Sequence, residues 1–167
     1  MVKSIASDGS DIEPAGNEIG KYSDTVPLDL TTDETLSTFE VVADGTWKIV
    51  VKVMQKATQF TGSFTGKGDN VLLAPSGTSS GFVTATITDK GQSNVAVKAY
   101  TPNDYDLLVN EIGNYSGQVI IPDGSLVFEI VAGGTWTIKL DLTTGSASRR
   151  EMNGEGPHPG GTVGTFR

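Results

Sequence analysis

The sequence predicts an all-β protein, an antiparallel β-sandwich of jelly-roll type, on three observations. Apolar and polar side chains alternate with a period of two, Gly-containing turns fall at short and regular intervals, and one strand unit occurs twice. Nowhere do apolar residues recur at i, i+3, i+4 and i+7 over three turns, and the abundant Gly, Thr and Val are poor helix formers.

The repeated unit is the most informative feature. NEIGKYSDTVPLDL at 17–30 returns as NEIGNYSGQVIIP at 110–122, and FEVVADGTWKIVV at 39–51 returns as FEIVAGGTWTIKL at 128–140. The separation, roughly ninety residues, is too long for a solenoid repeat, so the unit reads as one supersecondary element duplicated inside a domain. In the first copy Trp47, Ile49, Val51 and Val53 share one face, and Thr46, Lys48, Val50 and Lys52 the other. The second copy repeats this with Trp136, Ile138, Leu140 and Leu142 against Thr135, Thr137, Lys139 and Asp141. Both apolar faces are expected to turn inward, with the two Trp in the core rather than stacking on sugar. Asp44-Gly45 and Gly133-Gly134 precede the two Trp strands, so each unit, repeats 17–51 and 110–140, is expected to be a β-hairpin.

Further strands are expected at Val71 to Ala74, Gly81 to Thr88 and Asn94 to Tyr100, separated by Gly, Asn, Asp, Pro and Ser clusters. These place a sandwich domain at 17–143. Residues 1–16 are small and polar and residues 144–167 are rich in Gly and Pro without periodicity, so both read as arms. Such arms are either ordinary frayed termini or segments that order against a neighbour. In the second case Arg149, Arg150, Phe166 and Arg167 are the candidate partner-binding residues.

Composition excludes several functions. The 167 residues carry a net charge of −8 and contain no Cys and one His, His158. Disulfides, thiolate metal sites and Cys nucleophiles are ruled out by counting. All three Arg lie at or beyond Arg149, leaving a body with twice as many acids as Lys. An acidic body repels phosphate backbones, so no nucleic-acid role is expected. The first residues lack a basic start, an apolar run and a cleavage site, so no export signal is read there. No apolar run approaches the ~20 residues that span a bilayer, and no membrane partner is expected.

A search for chemistry finds little. GSFTGKGDN at 62–70 superficially has the glycines and lysine of a phosphate loop. Only three residues separate Gly62 from Gly66, Gly68 stands where Ser or Thr would hold magnesium, and no helix follows. A hairpin turn is the expectation. His158, in GPHPGG, has nothing to orient it for a Ser-His-Asp triad or a zinc site. Asp44, Asp69, Asp89 and Asp123 sit in turn contexts, and the groups Asp8, Asp11, Glu13 and Asp104, Asp106 lack a complete calcium loop. The reading is non-enzymatic, with no catalytic residue, cofactor or metal.

Four segments, GKGDNVL at 66–72, TDKGQSNVAVKAY at 88–100, DLLVNEIGNYSGQV at 106–119 and VAGGTWTIKL at 131–140, together carry a resemblance. The chain resembles largely uncharacterised bacterial secreted proteins and lipoproteins and related phage-encoded domains. It departs from that pattern where Thr88 replaces a His and Val95 a Phe. The resemblance implies a β-sandwich with a binding or structural role and no catalytic residues. The phage relatives are the closer comparison, because a virion protein assembled in the host cytoplasm needs no export signal. The expectation is therefore a virion component, a capsid decoration or minor capsid protein. Its partners would be the major capsid protein and neighbouring copies of itself, contacted through the arms. The alternative is a carbohydrate or cell-surface binding module, in a tail fibre or host wall protein.

Overall fold

A computed structural model describes residues 1–17, 19–21, 23–30, 35–75 and 83–141. Within them the chain is all-β: antiparallel sheets pack face to face, without closing into a barrel, and the one helical element is a short 3-10 turn at Met54–Lys56. The first three strands, β1 (Val2–Ala6), β2 (Asp11–Gly16) and β3 (Leu36–Val41), form a small sheet in the order β2-β1-β3.

The rest builds a two-layer sandwich. One layer comprises β5 (Ser63–Lys67), β7 (Val83–Asp89), β10 (Tyr115–Ile121) and β12 (Thr135–Asp141), in the order β10-β7-β12-β5. The facing layer comprises β4 (Thr58–Gln59), β6 (Asn70–Leu73), β8 (Asn94–Tyr100), β9 (Tyr105–Ile112) and β11 (Val127–Ala132), in the order β4-β6-β11-β8-β9. The short β4 runs parallel to β6, and all other pairings are antiparallel.

Period-two alternation sets which side chains meet between the layers. Val83, Ala85 and Ile87 from β7 and Trp136, Ile138 and Leu140 from β12 face Val95, Val97 and Ala99 from β8 in one core. Phe60 and Phe128 meet edge to face there, with ring centroids 6.0 Å apart. A smaller cluster of Val71, Tyr100 and Val127 is capped by Leu30, Met54, Ala57 and Leu73, which ties the first third of the chain to the sandwich.

Three expectations need correction. The repeated unit is not a hairpin, because β11 pairs with β6 and β8 while β12 pairs with β5 and β7. Gly133-Gly134 carries the chain across the core from one layer to the other. A hairpin would set the Phe128 and Trp136 faces side by side in a single sheet, whereas the corner lets one unit supply both opposing layers. By the same geometry GKGDN is a layer-crossing corner between β5 and β6, not a hairpin turn. Finally, residues 1–16 contain two strands rather than an arm: the inward positions are small, with Ser4 and Ala6 buried, so the stretch reads as polar while still alternating.

The small sheet repeats part of the sandwich in register. Val2, Lys3, Ser4 and Ile5 of β1 face Val41, Glu40, Phe39 and Thr38 of β3. Val97, Lys98, Ala99 and Tyr100 of β8 face Ile130, Glu129, Phe128 and Val127 of β11 in the same way. The outer pairings are alike in having an irregularity that begins at Val2 or Val97, although it shifts the register by two residues in β2 and by one in β9. Thus β2-β1-β3 is a second copy of β9-β8-β11.

The repeat gives a matched test of the corner. A Cβ on Gly134 would lie 2.4 Å from the Gly91 backbone, whereas a Cβ on Gly45, its counterpart in the first copy, meets nothing within 4 Å. Gly134→Ala is expected to lower stability by about 3 kcal/mol, at the upper end of overpacking costs, and Gly45→Ala by less than about 0.5 kcal/mol, in urea unfolding followed by fluorescence.

Candidate functional site

Two copies of one motif, GTW, sit in opposite environments. In the second copy the indole of Trp136 is held by the corner between β5 and β6. Gly66 has no side chain where the ring lies, since a Cβ there would fall 2.4 Å from Trp136 Cζ2. Gly68, at a φ of 69° that favours glycine, turns its carbonyl to accept the Trp136 Nε1–H at 2.7 Å. Asp69 Oδ1 accepts the Ala132 N–H at 2.7 Å and so fixes the end of β11. Phe64 lies against the ring with centroids 5.8 Å apart. GKGDN and GGTW are thus two halves of one lock.

A second turn closes the same end. Asp89 is buried and its Oδ2 accepts the Gly91 N–H at 2.7 Å, while Lys90 N–H reaches Thr135 O at 3.0 Å. Gly91 and Gly134 pack backbone to backbone, closer than any side chain would permit. Asp89 stabilises its own turn as expected, whereas Asp69 reaches across to β11 instead, and Asp8 holds a turn by accepting both the N–H and the hydroxyl of Ser10. Asp11 instead pairs with Lys3 at 3.1 Å.

In the first copy the same motif has no such seat. Trp47 is 61 % exposed where Trp136 is 2 % exposed. Val51 is exposed where its counterpart Leu140 is buried, and Phe39 is half-buried where Phe128 is fully covered. Residues 46–53 form no strand, nor do residues 23–28, the counterpart of β10. The expectation that both Trp faces turn inward therefore holds for the second copy and fails for the first. Val42, Trp47, Val50, Val51 and Val53 are all large apolar side chains left exposed within residues 42–53. Lys48 and Lys52 are also exposed there. Left uncovered, each large side chain forgoes roughly 1.5–3 kcal/mol of burial energy.

On the outer face of the five-stranded layer, Tyr100 donates to Glu129 Oε2 at 2.7 Å and Lys98 approaches the same oxygen at 3.3 Å. Lys98 also lies 5.3 Å from the Tyr105 ring centroid. These contacts tie β8 to β11 through Glu129.

Among the described residues no group of three or more His, Asp or Glu is placed to hold a metal ion, and no helix is long and apolar enough to cross a membrane. Arg149, Arg150, Phe166, Arg167 and His158 lie outside the described residues, as does the whole of 144–167. Thr88 is half-buried in β7 between Ser116 and Thr137. The exposed strip was missed because its alternation is as good as that of β12. The signal that distinguishes them is numerical: the sequence holds two GTW motifs but a single GKGDN. Comparison with family models, curated proteins and solved structures finds no match.

The lock also titrates. Burial raises the Asp69 carboxyl to about 6, opposed by the Ala132 N–H bond and reinforced by a bond to Asp24 and by the charges of Asp24 and Glu129. Because the folded state holds this proton more tightly than the unfolded chain, the associated stability is complete below pH 3.8 and is lost as pH rises through about 6. Asp69→Asn keeps an oxygen for Ala132 and removes the titration. Its thermal midpoint, measured against pH beside that of the native chain, is expected to lack this fall. A parallel fall in both proteins would contradict the assignment.

Proposed function

We propose that this chain is a non-enzymatic structural protein of a phage virion, a capsid decoration or minor capsid subunit that docks on major capsid subunits and neighbouring copies. The observation that carries the docking role is the apolar strip Val42 to Val53, exposed beside a sandwich whose own core is complete. A concentration of exposed large apolar side chains in one segment favours an association site, and a symmetric shell multiplies weak contacts into firm attachment. The choice of particle rests on the resemblance carried by residues 66–72, 88–100, 106–119 and 131–140. The C-terminal segment, with Arg149, Arg150, Phe166 and Arg167, would supply a second contact to an acidic and apolar partner surface.

One observation favours a second reading. Trp47, exposed and flanked by the exposed Lys48, is an aromatic platform of the kind that stacks on sugar rings in carbohydrate-binding modules.

Mass spectrometry of purified phage particles from the source system tests the first reading, which expects many copies of the chain per virion. Its absence from particles would refute it. Deleting residues 145–167 is expected to reduce incorporation, and unchanged incorporation would remove the C-terminal contact. Under the carbohydrate reading, glycans would shift the emission of Trp47, and Trp47→Ala would abolish binding on a glycan array.

A further inference from the structure

The exposed strip has a specific cause in the topology. In the sandwich, β12 is held between β5 and β7, and β10 is held by β7. Residues 1–53 contain counterparts of β8, β9 and β11 in β1, β2 and β3, and sequence counterparts of β10 and β12 at 22–28 and 46–53. They contain no counterpart of β5, β6 or β7. The segments that depend on β5 and β7 are the ones without strand pairing, 23–28 and 46–53, while β1, β2 and β3, which depend only on one another, are formed. Among the described residues, the edge of β3 that corresponds to the β6 side of β11 likewise has no strand partner.

We infer that residues 1–53 are the second half of another sandwich, and that their partner is a polypeptide segment of the same kind as residues 54–95, lying outside these 167 residues. The chemistry of that segment follows from the lock around Trp136. It must offer a glycine whose missing side chain admits the Trp47 indole, as Gly66 does. It must offer a carbonyl for the indole N–H, as Gly68 does, and a carboxylate for the N–H of Ala43, the counterpart of Ala132, as Asp69 does. It must also bring two strands to flank 46–53, as β5 and β7 flank β12.

A second copy of this chain does not fit as the occupant. Each chain holds one GKGDN segment and two GTW segments, and its own Trp136 already fills the one lock it has. Exchange between copies would leave one GTW unseated for every chain. The inference concerns the fold of residues 1–53 and stands apart from the choice of particle, so absence from virions and failure of the experiment below are separately readable.

The experiment places a second copy of residues 54–95 directly before Met1, since Met1 occupies the register position of Ala96 beside Val42, with the Val42 N–H bonded to Met1 O at 3.0 Å. The chain has two Trp, so acrylamide should quench one component of the native emission, and Trp47→Phe should remove that component. In the extended chain the quenchable component is expected to disappear and the emission to move to the blue. A Gly66→Leu change in the added segment, which fills the indole site, is expected to restore quenching. If the extended chain does not fold, as read from loss of Trp136 protection, the 54–95 peptide is titrated into the native chain and protection of Trp47 is read instead. Trp47 remaining fully quenchable in a folded extended chain, or with saturating soluble peptide, would overturn the inference. So would a native chain that sediments as a dimer with Trp47 already protected, because a second copy would then be the occupant.

Discussion

The seating of Trp136 in the β5–β6 corner is the constraint on which the sandwich depends. An indole that is fully buried must find an acceptor for its N–H, and here that acceptor is a backbone carbonyl available only because Gly68 adopts a positive φ. The ring also needs room, which exists because Gly66 has no side chain. Asp69, next in sequence, ties the same corner to the last residue of β11. Three neighbouring residues of one corner thus join both layers, and burial of a Trp of this kind is worth about 3–5 kcal/mol.

That dependence explains why two nearly identical sequences behave differently within one chain. Strand propensity at 46–52 matches that at 135–141, yet only the latter is a strand, because sheet structure is stabilised by cross-strand neighbours rather than by intrinsic preference. The first copy retains what it can satisfy locally. Lys3 sits opposite Glu40 as Lys98 sits opposite Glu129, and the ladder of β1 with β3 reproduces that of β8 with β11 over the four pairs from Val2 to Ile5. What it loses are the pairings that require β5, β6 and β7. Ser4, fully buried with its hydroxyl unpartnered, stands at the position held by Ala99 in the complete sandwich.

Much of this was legible in the sequence. Alternation at 81–88 and 94–100 located β7 and β8 within a residue or two, and the apolar face of Trp136, Ile138 and Leu140 is the core face. Partner choice was not legible, because a Gly-Gly step serves a hairpin and a layer-crossing corner equally well. The lock was visible only as a glycine-rich loop, since the need for a carbonyl acceptor arises from a Trp 68 residues away. The strands at 2–6 and 11–16 were obscured by small inward residues, Ser4 and Ala6. The exposed strip required counting partners rather than reading the strand itself.

The central claim is that one motif is paired in its second copy and unpaired in its first. Amide hydrogen exchange on the native chain tests it most directly. Amides of residues 46–53 should exchange at rates near those of an open chain, while those of residues 135–141 should require opening of the sandwich. Equal and strong protection of both segments would contradict the account, since it would mean that the first copy already has the strand partners the structure denies it.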